Sequence, residues 1–161
     1  MDETQAVLFE SLGAEPTRSK LIADCARLID EEVKAKTGIT GVAIKGAYGT
    51  VKRIKPRFVT ETIDGLLDEW LAKIEPYHVT WKGGSEESFA DFLTARSEDV
   101  ADDLLSVTDG RAETTKHRTA KKAYEKIRPS AKRNVVEAVP KLGRVVEGYL
   151  RGGDEGDGSA A

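Results

Sequence analysis

A single cysteine, Cys25, excludes an internal disulfide and any zinc or iron–sulfur centre that needs several thiolates from this chain. No apolar run approaches the ~20 residues that span a bilayer. The first residues, Met1, Asp2, Glu3, Thr4 and Gln5, are acidic and polar, without the basic n-region and apolar core of a signal peptide. A reducing, cytoplasmic setting is the resulting expectation. Alternating apolar and polar residues, the mark of a half-buried strand, are missing as well. No serine sits in a nucleophile elbow.

What is present is helical spacing. Hydrophobic residues make up 39% of the 161 residues and charged ones 33%, enough apolar material for a modest core rather than a disordered coil. Apolar residues recur at intervals of three and four. Thr4 to Leu12 reads as a short helix, and Pro16 and Thr17 open a longer one with Leu21, Ile22, Cys25, Leu28, Ile29 and Val33 on one face. Gly38 stands where a C-terminal cap belongs. Gly38 to Lys55 reads as an amphipathic helix, although Gly41, Gly46 and Gly49 each cost it about 1 kcal/mol relative to Ala. After Pro56 a helix resumes through Ile63, Leu67, Trp70 and Ile74, and Pro76 is expected to end it.

Tyr77 to Gly84 has no helical period and closes on two glycines, so it reads as a connection. Helices are then expected from Ser85, from Ser97 and from Thr115, with a turn at Asp109-Gly110 and a break at Pro129. A last helix runs from Ser130 to Leu150, kinked near Pro140. The expected architecture is all-α, a bundle of about seven or eight helices forming a single domain over residues 1–151. An acidic, glycine-rich tail, 152–161, is expected to be disordered.

Two segments resemble each other at an offset of 73 residues: Arg53-Ile54-Lys55-Pro56 matches Lys126-Ile127-Arg128-Pro129, with Ala47 against Ala120 and Ile63 against Val136. Half-repeats over 15–76 and 85–151, joined by 77–84, are therefore an expectation. Charge is sorted along the chain. The total is −3, yet residues 38–57 carry five bases and no acid, residues 58–81 carry −4, residues 82–113 carry −6, and residues 114–151 carry +8. Both basic blocks surround the Ile-basic-Pro pattern. If the two corners share a face, Lys52, Arg53, Lys55, Arg57, Lys126, Arg128, Lys132 and Arg133 form a candidate anion- or partner-binding surface. Phosphate backbones and anionic lipid head groups would bind such a face in a salt-dependent manner. The net negative charge weighs against a dedicated nucleic-acid binder, and pairing of these bases with the acidic helices is the competing expectation.

Other motifs carry less. Gly41-x4-Gly46 has the glycine spacing of a phosphate loop, but Ala47 and Tyr48 stand where Lys and Ser or Thr are needed. Gly46 and Gly49 with Ala43, Ala47 and Thr50 read instead as a small-residue surface for close helix packing. Glu75-x-x-His78 matches half of a helical di-iron motif, but Pro76 is expected to break its geometry and His117 has Thr114 three residues before it, so no metal and no cofactor are expected. Glu61, Asp64 and Asp68, and likewise Asp99, Asp102 and Asp103, read as solvated helix faces, and Cys25 as a packed thiol. Tyr77, His78 and Trp81 gather rings in a chain with only two tryptophans and could line a ligand pocket, with His78 titrating near neutrality. The functional expectation is a non-catalytic cytoplasmic binding or interaction module whose basic face takes an acidic protein, nucleic acid or anionic membrane surface. The alternative is a carrier of an apolar small molecule or lipid between helices.

Overall fold

The structure, a computed structural model, describes residues 7–84 and 86–152. The expected helix start at Thr4, the start at Ser85 and the acidic tail lie outside the described residues. Among the described residues there are seven helices and no strand: α1 (Val7–Leu12), α2 (Thr17–Ala35), α3 (Gly38–Ile54), α4 (Phe58–Lys82), α5 (Phe89–Thr94), α6 (Ser97–Thr114) and α7 (Arg118–Gly152). The all-α bundle read from the spacing is the observed fold.

Helix boundaries follow local chemistry at several points. Lys36 and Thr37 are extended after α2, and Gly38 takes a φ of +75°, a left-handed conformation that glycine adopts without a Cβ penalty. Ser88 caps α5 by accepting a hydrogen bond from the Asp91 N–H at 3.1 Å. Lys55 ends α3 in an extended conformation, as the residue before Pro56 prefers.

Three expected interruptions are absent. Pro76 lies inside α4, Pro129 inside α7 and Asp109-Gly110 inside α6, while Pro140 lies within α7, in a helix expected to continue past it. An interior proline deletes one backbone hydrogen bond and frees the carbonyl four residues earlier. Pro76 and Pro129 are both exposed, and so are Ala72 and Glu125, whose carbonyls are the ones freed, so water can satisfy them. The supposed connection from Tyr77 is helical up to Lys82, and the chain leaves helix only at Gly83 and Gly84.

One apolar core joins six of the helices, with Leu8, Leu12, Leu21, Ile63, Phe89, Leu93, Val100 and Val139 almost fully removed from solvent. Each such side chain contributes about 1.5–3 kcal/mol of transfer free energy. The 35-residue α7 runs along α2, α3, α5 and α6. Its approach to α5 is close: a Cβ on Gly143 would stand 3.0 Å from the Ala90 Cα, and the neighbouring Glu147 carboxylate accepts the Ala90 N–H at 2.9 Å. Arg18 ties α2 to α4, donating to Asp64 at 3.0 Å and to Asp68 at 2.7 Å. Tyr149 of α7 donates to Asp24 of α2 at 2.5 Å. Lys36 and Lys141 cross between the same regions, to Glu137 and to Glu32, each at 2.7 Å.

Candidate functional site

The first basic segment closes α3. Lys55 Nζ sits 2.7 Å from Glu61, and Lys52 Nζ lies 3.5 Å from Asp30 and 5.2 Å from the Tyr48 ring centroid. The Lys55 ammonium holds the Glu61 carboxyl below its ordinary range, with Arg57 adding to the effect. Arg53 and Arg57 are exposed, and among the described residues neither makes an ion pair.

The second segment lies in the middle of continuous helix. Arg128 grips Asp109 of α6 with two donors, Nε at 2.8 Å and Nη2 at 3.0 Å, a bidentate geometry that only guanidinium offers. Tyr124 donates to the same carboxylate at 2.6 Å and lies 2.8 Å from the Thr108 hydroxyl. The Arg128 hydrogen bond, then that of Tyr124, holds the Asp109 carboxyl below its usual range. Lys132 lies 3.2 Å from Asp102 and 3.9 Å from Glu98. Lys126 and Arg133 point to solvent without ion pairs among the described residues.

The eight bases proposed from the sequence thus divide in two. Lys52, Lys55, Arg128 and Lys132 pair with acids of their own chain, while Arg53, Arg57, Lys126 and Arg133 remain open. Phe58 meets His117 edge-on, with ring centroids 5.5 Å apart, which sets the first segment against the start of α7. At 1.5 Å per residue Lys126 lies about 14 Å further along that helix. The first segment therefore adjoins Lys116 and Arg118, which the sequence reading did not single out.

Lys116, Arg118 and Lys122 are exposed, and with Lys126 and Arg133 they belong to a stretch, 116–133, that holds eight bases and one acid, Glu125. Arg118, Lys122, Lys126 and Arg133 fall at four- and seven-residue intervals, so they share one ridge of α7. The sequence reading missed Arg118 and Lys122 because it chose its bases around the two Ile-basic-Pro patterns, and the expected break at Pro129 set Arg133 apart from the rest.

The aromatic group on α4 is packed against its own chain. Tyr77 donates to Asp103 at 2.6 Å and Trp81 Nε1 to the Glu87 carbonyl at 2.7 Å. His78 is only 4% exposed and lies 5.3 Å from the Phe89 ring and 5.7 Å from that of Trp81. Burial, with the Lys82 charge, pushes its pKa below the ordinary histidine value rather than leaving it poised near neutrality. Glu75, one turn earlier and also 4% exposed, accepts the Leu8 N–H at 2.8 Å through Oε1. Glu75 Oε2 and His78 Nδ1 have no hydrogen-bond partner among the described residues. Because α4 continues through Pro76, the two side chains do project from adjacent turns of one helix, contrary to the expected break. Among the described residues no group of three His, Cys, Asp or Glu is placed to hold a metal ion.

The remaining candidates are accounted for by packing and pairing. Asp64 and Asp68 bind Arg18, Asp102 binds Lys132 and Asp103 receives Tyr77. Cys25 packs beside the core, and burial pushes its thiol up to about 11, which leaves little thiolate at neutral pH. An open groove of about 530 Å³ between α4 and α6 is lined by Glu69, Lys73, Ser106, Arg111 and Thr114 among others, a polar lining that offers nothing to an apolar ligand. No helix among the described residues is long and apolar enough to cross a membrane.

An all-α bundle, with seven helices among the described residues and an exposed cationic ridge, is the class that the fold and surface define. Residues 8–150 match the model of a family of unknown function, DUF6918, and the chain belongs to that family. No curated protein and no solved structure matches it.

Proposed function

We propose that the chain is a non-catalytic, cytoplasmic binding module whose cationic surface, the α7 ridge with Arg53 and Arg57 beside its start, holds an anionic partner. The observation that carries this reading is the sorting of the bases. Those facing α2, α4 or α6 are neutralised by Asp30, Glu61, Asp109 and Asp102, whereas Arg53, Lys116, Arg118, Lys122 and Lys126 stay exposed and without ion pairs among the described residues. Side chains that serve only to balance the acidic helices would be expected in the first group. Exposed cations on one ridge raise the local potential for phosphate, carboxylate or anionic lipid despite a total charge of −3. Gly46 and Gly49 have open space where a Cβ would stand rather than an interior chamber, which supports a surface reading over a carrier that sequesters an apolar ligand.

Heparin chromatography and anionic-vesicle sedimentation over a salt series test the reading. Retention is expected to fall steeply with salt, and the triple variant Arg118→Glu, Lys122→Glu, Lys126→Glu is expected to elute near the void with an unchanged circular dichroism spectrum. Each cation lost should reduce the slope of log affinity against log salt by about one. Retention that ignores salt, or that survives the charge reversal, refutes the proposal.

A further inference from the structure

The solvent side of α3 carries an apolar seam that nothing among the described residues covers. Ile39 is 91% exposed and Val42 73%, the two most exposed large hydrophobic residues among those described. With Gly46, Gly49 and Arg53 they follow alternating three- and four-residue steps, the spacing by which one helix presents a seam to another. Ala43 and Thr50 lie alongside, and the Thr50 hydroxyl turns back to donate to the Gly46 carbonyl at 2.9 Å, so its polar group is already satisfied. No charge interrupts the seam from Ile39 to Thr50, although α3 faces water there. The opposite face, with Gly41, Ile44 and Ala47, is the one buried in this fold.

Gly46, exposed, and Gly49, partly exposed, are costly to the helix without a return among the described residues. A Cβ at Gly46 or Gly49 would meet nothing within 4 Å, and neither has a positive φ, so alanine would fit and would favour the helix by about 1 kcal/mol at each position. What their bareness does provide is close approach for a second helix backbone. Lys45 and Arg53 border the seam, exposed and without ion pairs among the described residues.

We propose that this face of α3 docks an acidic amphipathic helix of a partner protein, with small apolar residues against Gly46 and Gly49 and carboxylates against Lys45 and Arg53. Charge complementarity selects this occupant over a second copy of the chain. A symmetric pairing of two α3 faces would bring together two segments, 38–57, that each hold five bases and no acid. A lipid surface is served less well, because a membrane-seated helix needs bulky apolar side chains where this one has glycine and alanine. The inference uses a different face from the α7 ridge and shares only Arg53 with it, so loss of heparin binding in the α7 triple variant leaves it standing.

The test uses two synthetic helical peptides with the same Ala and Leu seam, one flanked by Glu and the other by Lys, in fluorescence anisotropy with the full chain. The Glu-flanked peptide is expected to bind in a salt-sensitive manner and the Lys-flanked one at least tenfold more weakly. Gly46→Leu has room in its own fold and is expected to keep or raise Tm while weakening the Glu-flanked peptide at least tenfold. Lys45→Glu with Arg53→Glu should weaken it similarly, and the α7 triple variant should bind it as the wild type does. Equal binding of both peptides, no binding of either, or indifference to Gly46→Leu overturns the proposal. So does a dimer in light scattering that Gly46→Leu abolishes, or vesicle binding that Ile39→Asp abolishes.

Discussion

Arg53-Ile54-Lys55-Pro56 and Lys126-Ile127-Arg128-Pro129 are near-identical in pattern and opposite in structure. At the first, the helix stops, Lys55 turns extended and the side chains spread to solvent. At the second, α7 continues for more than twenty residues past the proline. Proline imposes the same local penalty in both, so the neighbours decide. Around Pro129, Tyr124, Arg128 and Lys132 clamp the helix to Asp109 and Asp102 of α6 on both sides of the defect. Residues 52–57 are all exposed, and their ties are the Lys52 and Lys55 ion pairs to surface carboxylates. A proline bends the chain where tertiary contacts are too few to hold it straight.

The largest effect that this contrast predicts comes from replacing the prolines themselves. Pro129→Ala restores a backbone hydrogen bond in an already continuous helix and is expected to stabilise the protein by about 2 kcal/mol, read from the urea midpoint. Pro56→Ala restores nothing, since the chain has left the helix, and frees the unfolded state, so a loss of about 0.5 kcal/mol is expected. Two changes of the same sign would mean that the segments are not held differently.

Next in size is the clamp. Asp109→Ala removes the acceptor of a bidentate arginine and of Tyr124, and about 1 kcal/mol of destabilisation is expected after allowance for the half-exposed position of the pair. Glu61→Ala removes the partner of Lys55 at a fully solvated site and should leave the urea midpoint where it was. A comparable loss in both would show that the first segment is fastened as firmly as the second.

The same contrast explains what could be read from the residues alone. Spacing of three and four reveals a helix whatever its neighbours, which is why the all-α class and the faces of α2 and α4 were legible. Whether Pro56, Pro76 or Pro129 breaks a helix depends on residues distant in sequence, and local propensity treats all three alike. The candidate surface was chosen around the two Ile-basic-Pro patterns. Four of its eight bases were found open, but Lys116, Arg118 and Lys122 were passed over because they lie outside those patterns, although the helix expected from Thr115 already carried them. The burial of His78 was missed because it lies in the segment, Tyr77 to Gly84, read as a connection, and that of Glu75 because it stands at the expected helix end before Pro76.

The smallest predicted effect is a difference in acid sensitivity. The Asp109 carboxyl is held below its ordinary value of 3.8 chiefly by Arg128, so its contribution is complete above that value and disappears as pH falls through 3.8 toward the folded-state pKa. The stability gap between wild type and Asp109→Asn should therefore be constant from about pH 7 to pH 5 and close below about pH 4. Glu61 is lowered by Lys55 in the same direction, but at a position where water and salt screen the pair. Glu61→Gln should run parallel to wild type throughout in 0.15 M salt. Urea midpoints against pH for the three proteins decide the matter, and if Glu61→Gln flattens the acid limb as much as Asp109→Asn does, a single exposed lysine holds its carboxylate as firmly as a bidentate arginine backed by tyrosine. The continuity of α7 through Pro129 would then need a cause other than its grip on α6.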